Sequence, residues 1–279
     1  MKVGTNEVAL TFRAEDQAGR AITDLKLADL KILDNGHLPD RITLFSHHEH
    51  LPVHLAIVLD ISPSMAGVAQ PREVARRVAQ TAIHDARDQA LVMFFDFDSL
   101  LEQDWTSDPK LLETAAAKAA AASRSRLGGT AAWDSLYKIC RDHIPAQAPG
   151  EEAFSSAILL FTDGIDNRSH ALPEDVIEEC QSRQTAIYPF LGGDKAHFDA
   201  GQKDLRSLAE MTGGRVFYDQ SSANLTASIL RIDTDLRDRI TLVYRPAGFK
   251  RDGRFHGIKL ESPRVASFQT RSGYYAAKE

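Results

Sequence analysis

An α/β fold with a doubly wound, mainly parallel sheet is predicted by three features of this 279-residue sequence. The runs Val53 to Leu59, Ala90 to Phe95, Ala157 to Phe161 and Thr185 to Phe190 have strand length and lack the alternation of a sheet with one wet face. Segments with apolar residues at helical spacing alternate with these runs, as crossover helices between parallel strands must. Both ends of the chain are strand-like with no helix between the strands. They are expected to build one small antiparallel β domain, residues 1–48 and 241–279, around an inserted α/β domain, 49–240.

The N-terminal flank begins with Val8, Leu10 and Phe12 alternating with polar residues, a half-buried strand, and turns at Gly19-Arg20. The run Leu30 to Leu33 meets Asp34-Asn35-Gly36, a hairpin signal, and Arg41 to Phe45 is expected to return beside it. The segment His47-His48-Glu49-His50 has no second cluster at metal-ligand spacing, so a solvated linker is expected there. Val53 to Asp60 follows as the central strand. Pro71 suits a first helical turn, and Val74, Val78 and Ala82, flanked by Ala75, Ala79 and Ile83, give that helix its apolar face.

Ala90 to Phe95 is the next buried strand and Leu100 to Trp105 a short edge strand. Asp108-Pro109 opens an alanine-rich helix, closed by Arg124, Arg126 and Gly128-Gly129. Ala132, Leu136 and Ile139 mark another helix. Beyond the strand Ala157 to Phe161, a helix is expected around Val176, Ile177 and Cys180, a strand over Thr185 to Phe190, a helix over Leu205 to Met211 and a short strand over Arg215 to Phe217. Leu225, Ile229, Ile232, Leu236 and Ile240 mark a long last helix; Leu242 to Tyr244, Phe255 to Leu260 and Val265 to Phe268 are strands.

Composition limits the function. At 43% hydrophobic residues the chain can bury one large core and a second, smaller one. Lys and Arg total 33 against 39 Asp and Glu, a net charge of -6, and no basic run is long enough to track a phosphate backbone, so nucleic acid is not expected as a partner. No apolar segment approaches the roughly 20 residues that span a bilayer. Met1-Lys2-Val3-Gly4 also lacks the apolar core of a signal peptide, so a soluble chain is expected, with its native compartment open. Cys140 and Cys180 fall on helical stretches without metal-ligand spacing; two free, partly buried thiols are expected, with one disulfide as the alternative.

The chemistry is concentrated at strand ends. The central strand stops on Asp60, followed by Ser62 and Ser64 at alternate positions. In an open α/β sheet the carboxyl ends of the strands form the ligand crevice, so these three oxygen donors are aimed at one rim and point to a hard cation. Gly128-Gly129-Thr130 would bring a hydroxyl to a helix N-terminus, and Thr162-Asp163-Gly164 delivers a second carboxylate. The bland alternative is that Ser62 and Ser64 cap the helix beginning near Pro71 and Asp163 stabilises a turn.

Asp60-x-Ser62-x-Ser64, then Thr130 in Gly-Gly-Thr, then Asp163 in Thr-Asp-Gly resembles the metal-ion-dependent adhesion site of a von Willebrand factor type A (VWFA) domain, over roughly Leu51 to Ile240. The flanks, with Thr23-Asp24-Leu25, Asp34-Asn35-Gly36 and Arg271-Ser272-Gly273-Tyr274-Tyr275, resemble bacterial VWFA-related proteins. The resemblance implies a Rossmann-like VWFA fold, an extracytoplasmic location, and Mg²⁺ or Mn²⁺ held by Ser62, Ser64, Thr130, Asp60 and Asp163. An open metal position would take an acidic side chain of a protein partner. In the family a ligand on the metal favours a shift of the last helix, with the threonine moving into direct coordination and the second-motif aspartate moving out; a rigid site is the competing reading.

Two other functions compete with this one. A phosphotransferase or hydrolase of the haloacid-dehalogenase kind needs a second carboxylate two positions after the nucleophile, where this chain has Ser62. Neither a phosphate-cradling Gly-rich loop nor a Gly-x-Ser-x-Gly elbow is present, so no enzymatic activity is expected. A scaffold with a purely structural metal, binding through the β domain, is the other alternative.

Overall fold

The computed structural model describes residues 6–65, 70–119, 129–147, 152–192, 198–218 and 222–276, setting aside the side chains of 198–200 and 222. In chain order the strands are β1 (Val8–Glu15), β2 (Lys31–Asp34), β3 (Arg41–His48), β4 (Val53–Asp60), β5 (Gln89–Phe95), β6 (Ser99–Thr106), β7 (Ser155–Thr162), β8 (Thr185–Leu191), β9 (Arg239–Arg245), β10 (Phe255–Glu261), β11 (Ser267–Gln269) and β12 (Gly273–Tyr275). The α-helices are α1 (Pro71–Ala82), α2 (Pro109–Ala117), α3 (Ala132–Lys138), α4 (Pro173–Ser182), α5 (Phe198–Thr212) and α6 (Ser222–Arg237).

The four apolar runs form four strands of a five-stranded sheet in the order β6-β5-β4-β7-β8, parallel except for the edge strand β6. Side chains alternate across it. Leu55, Ile57 and Leu59 of β4 face a layer of α1, α2 and α6 through Val78, Leu112 and Ile232, whereas Ala56 and Val58 face α3, α4 and α5 through Leu136, Val176 and Leu208. Both faces are therefore covered, which is why these strands read as continuous apolar runs. The chain leaves β4 toward β5 on one side and later enters β7 on the other, so strand order reverses at β4 and a crevice opens at the carboxyl ends of β4 and β7.

The chain ends pair with one another, in two antiparallel sheets rather than one: β11-β1-β9-β3 and β12-β10-β2. Leu10 and Phe12 of β1 and Leu242 and Tyr244 of β9 pack with Leu25 and Ile32 in a third core.

Several expectations need correction. The Asp34-Asn35-Gly36 turn forms, with Asn35 and Gly36 at φ 48° and 80° and Asp34 exchanging backbone hydrogen bonds with His37, but it does not join β2 to β3. Instead β2 pairs with β10 and β3 with β9, both partners coming from the other end of the chain. His47 and His48 belong to β3 rather than to a linker. Only a single bridge, Phe190 to Phe217, represents the strand expected at 215–217. The last helix ends at Arg237, and Ile240 lies in β9 with its side chain in the third core, so its apolar character reports strand burial, not helical spacing.

The cysteines are also corrected: Cys140 and Cys180 are fully buried and form a disulfide, with their Cα atoms 5.2 Å apart. They meet because α4 and the π-helical turn Ile139–His143 that follows α3 lie side by side on one face of the sheet. Arg124, Arg126 and Gly128, expected to end the alanine-rich helix, lie outside the described residues.

Candidate metal centre

The structure puts Asp60 at the last position of β4, where the buried run meets the crevice. Its carboxylate is 5% exposed; Oδ1 accepts from the Ser62 backbone N–H at 2.9 Å and Oδ2 from the Thr162 hydroxyl at 2.8 Å. Ser62 Oγ and Ser64 Oγ lie 3.1 Å apart, Ser62 buried and Ser64 exposed. Between them the chain makes a single 3₁₀ turn, Pro63–Met65, which turns both hydroxyls to the same side.

The helix-capping alternative fails at three positions. The N-cap of α1 is Gln70 and receives no side-chain bond, so Ser62 and Ser64 do not cap it. Ala131 is the N-cap of α3, again without a side-chain bond, so the Thr130 hydroxyl is not spent on capping. Asp163 does stabilise its turn, since Oδ1 accepts from Ile165 N–H at 3.0 Å, but this uses one oxygen of the carboxylate.

Thr130 reaches the rim through backbone ties. Ala131 N–H donates to Asp96 O, just past β5, at 2.7 Å; Thr130 N–H donates to Asn167 Oδ1 at 3.0 Å and its carbonyl accepts from Asn167 N–H at 3.1 Å. The Thr130 loop is thus fastened to the ends of the strands on both sides of β4. Gly129, at φ 146°, lies beneath the side chain of Arg168: a Cβ there would come within 2.9 Å of its Cγ.

Thr162, Asn167 and Asp96 were missed by sequence reasoning, although Thr162 stands directly before Asp163 and shares the end of β7 with it. Its hydroxyl also accepts from Gly164 N–H at 3.1 Å, so one side chain fixes Asp60 and the turn holding Asp163. A close approach adds to this: a Cβ on Gly201 of α5 would overlap the Gly164 carbonyl, so helix and turn touch backbone to backbone.

Burial pushes the Asp60 carboxyl up to about 6, a rise that hydrogen bonds from Ser62 and Thr162 oppose and the nearby Asp163 carboxylate reinforces. Among the described residues neither aspartate has a Lys, Arg or His partner, so two carboxylates share a buried rim without a counter-charge. A cation fits that imbalance. Among the described residues no group of three or more His, Cys, Asp or Glu is placed to hold a metal, so an ion here would combine the two carboxylates with hydroxyl and water oxygens, donors that suit a hard cation.

No family model and no curated protein matches the chain. Among solved structures, it is similar to an aerotolerance-related membrane protein of Bacteroides fragilis NCTC 9343 carrying multiple mutations to serine, at 18% identity and TM-score 0.49, over 66% of this chain and 100% of that one. It is similar to a von Willebrand factor type A protein of Catenulispora acidiphila at 13% identity and TM-score 0.46, over 100% of this chain and 75% of that one. A third is proximal thread matrix protein 1 of the mussel byssus, with a zinc-occupied MIDAS motif, at 17% identity and TM-score 0.47, over 74% of this chain and 50% of that one.

Proposed function

We propose that this chain, which resembles a von Willebrand factor type A domain protein in its motifs, is a non-enzymatic, metal-dependent protein-binding module. Asp60, Ser62, Ser64, Thr130 and Asp163 would hold Mg²⁺ or Mn²⁺, and an acidic side chain of a protein partner would complete the site. The observation that carries the reading is the buried pair Asp60 and Asp163, brought to one strand-end crevice with hydroxyls and, among the described residues, with no basic side chain paired to either carboxylate. When bound, the ion would supply a positive charge able to bridge to a partner carboxylate.

The chain's own residues do the rest. Thr162 and the Ser62 N–H orient the Asp60 carboxylate, and Asn167 holds the Thr130 backbone. Arg168 lies over the ring of Phe97 at 5.7 Å, and Phe97 is 58% exposed. A guanidinium beside an apolar ring at the edge of the crevice suits a partner whose acidic residue is flanked by apolar ones. The disulfide accords with an oxidising, extracytoplasmic setting.

Calorimetric titration with Mg²⁺ and Mn²⁺ tests the metal, and Asp60→Ala should abolish the binding; unchanged affinity in that variant would overturn the assignment. Ca²⁺ should bind less well, because it prefers more oxygen ligands than this carboxylate-poor rim offers. A pull-down with and without EDTA tests the partner: capture that survives chelation would shift the reading to a scaffold binding elsewhere.

A further inference from the structure

A second site lies at the opposite edge of the central sheet, where the β1/β9 face packs over the start of β8. A cavity of about 30 Å³ opens there, lined among others by Thr11, Gln181, Gln184, Thr185, Arg239 and Arg271 and by no acidic side chain. Arg239 is 6% exposed; its enclosed Nε has no hydrogen-bond partner, and its guanidinium makes no ion pair among the described residues. Arg271 donates through Nη2 to Ala9 O at 2.7 Å and leaves its own enclosed Nε without a partner.

The nearby carboxylates are already committed. Asp235, fully buried, pairs with Arg215 at 3.0 Å and Arg231 at 3.1 Å, and Glu15 pairs with Arg13 at 3.0 Å and with Arg231. Among the described residues five guanidiniums therefore meet two carboxylates in this region, and Arg239, although within reach of the Asp235 charge, makes no ion pair with either. An arginine cannot relieve burial by losing its proton. A buried charge whose nearest carboxylate is shared with two other arginines is costly to a fold, so the position favours a counter-ion.

We infer that this cavity binds a small monovalent anion, chloride or a carboxylate head group, between Arg239 and Arg271. Its volume accommodates an ion of that size, since a single water needs roughly 10–15 Å³, and is too small for a nucleotide or a sugar phosphate. Of the polar lining, Gln181 is engaged with Met211 O and Gly273 O, and Thr185 with Ser156. Gln184 accepts from Thr11 at Oε1, which leaves its amide nitrogen free to donate. An anion seated here would tie the two flanking sheets together beside the start of β8, because Arg239 begins β9 and Arg271 precedes β12.

The test uses the full chain with EDTA present, so that the metal rim plays no part. Sodium gluconate, whose anion is too bulky for the cavity, is replaced stepwise by sodium chloride or sodium formate at constant ionic strength. Thermal unfolding should shift upward by about 2–4 °C at saturation, and the chloride NMR line should broaden in the presence of protein. Arg239→Met should lose both effects. A wild-type protein without excess chloride broadening, or an Arg239→Met variant that keeps the wild-type chloride response, would overturn the inference. Should Arg239→Met not fold, Arg271→Met provides the same comparison, and a full wild-type response in that variant counts equally against the site.

Discussion

Thr162 shows how much of the crevice depends on a side chain that is not itself an expected ligand. Its hydroxyl donates to Asp60 Oδ2 and accepts from Gly164 N–H in a fully buried position. Thr162→Val keeps the shape but leaves a carboxylate oxygen and a backbone N–H without partners, at a cost of about 1–3 kcal/mol. Metal affinity should fall by about 10- to 100-fold, as it does when groups that orient ligands are removed; calorimetry beside a urea melt separates the two effects, and unchanged affinity would show that Asp60 needs no such support. The five residues proposed as ligands stand out in the sequence because Asp60, Ser62, Ser64 and Asp163 follow apolar runs and Thr130 stands in a Gly-Gly-Thr turn before a helix. Asn167 was not, because a backbone-to-amide bond from Thr130 to a residue in another loop leaves no trace in local spacing.

At the scale of elements, legibility followed burial on two faces. The strands β4, β5, β7 and β8 were readable from composition alone, since a strand covered on both sides must be apolar throughout. Pairing was not readable: the Asp34-Asn35-Gly36 turn has the expected left-handed geometry, yet β2 aligns Asp34 with Ile258 of β10, a choice made by the core that β2 enters and not by its turn. The disulfide belongs with these non-local features, because the 40-residue separation of its cysteines says nothing about which helices share a face. Under denaturing conditions without reductant, thiol titration should find no free cysteine. Cys140→Ala/Cys180→Ala should be less stable by up to about 4 kcal/mol on the loop-entropy argument for that separation. A free thiol in the unreduced protein would contradict the pairing.

The two ends of the chain are joined by strand pairing and by Asp34, whose buried carboxylate accepts from Tyr244 at 2.7 Å and Tyr274 at 2.9 Å. Deleting the chain from Thr241 removes most of β9, the partner of both β1 and β3, and should expose residues 8–48 to limited proteolysis; resistance there would refute a shared β unit. The same connectivity bears on whether events at the metal rim reach the β unit. A single residue, Asp238, separates the end of α6 from the start of β9, so any sliding of the helix would pull on the flanking sheet. The helix is held against sliding. Arg237, in its last turn, donates to both oxygens of buried Asp88 at 2.8 and 3.0 Å, to Leu51 O at 3.1 Å and to Ala82 O at 2.9 Å, and pairs with Asp233 one turn earlier. Burial opposes ionisation of Asp88 most strongly, but the Arg237 hydrogen bonds and charge, together with the Val53 and His84 N–H groups, outweigh it and hold the carboxyl below its usual range. Separating such a pair would leave two uncompensated charges, a cost of about 3–5 kcal/mol. A partner could drive the shift only by binding the displaced state better by at least that much, roughly 10²- to 10⁴-fold in affinity. A rigid site is therefore the expected behaviour. Hydrogen exchange over residues 225–244 should be identical with Mg²⁺ alone and with Mg²⁺ plus an acidic partner, and partner-dependent deprotection at the Arg237 end of α6 would show that the helix moves after all.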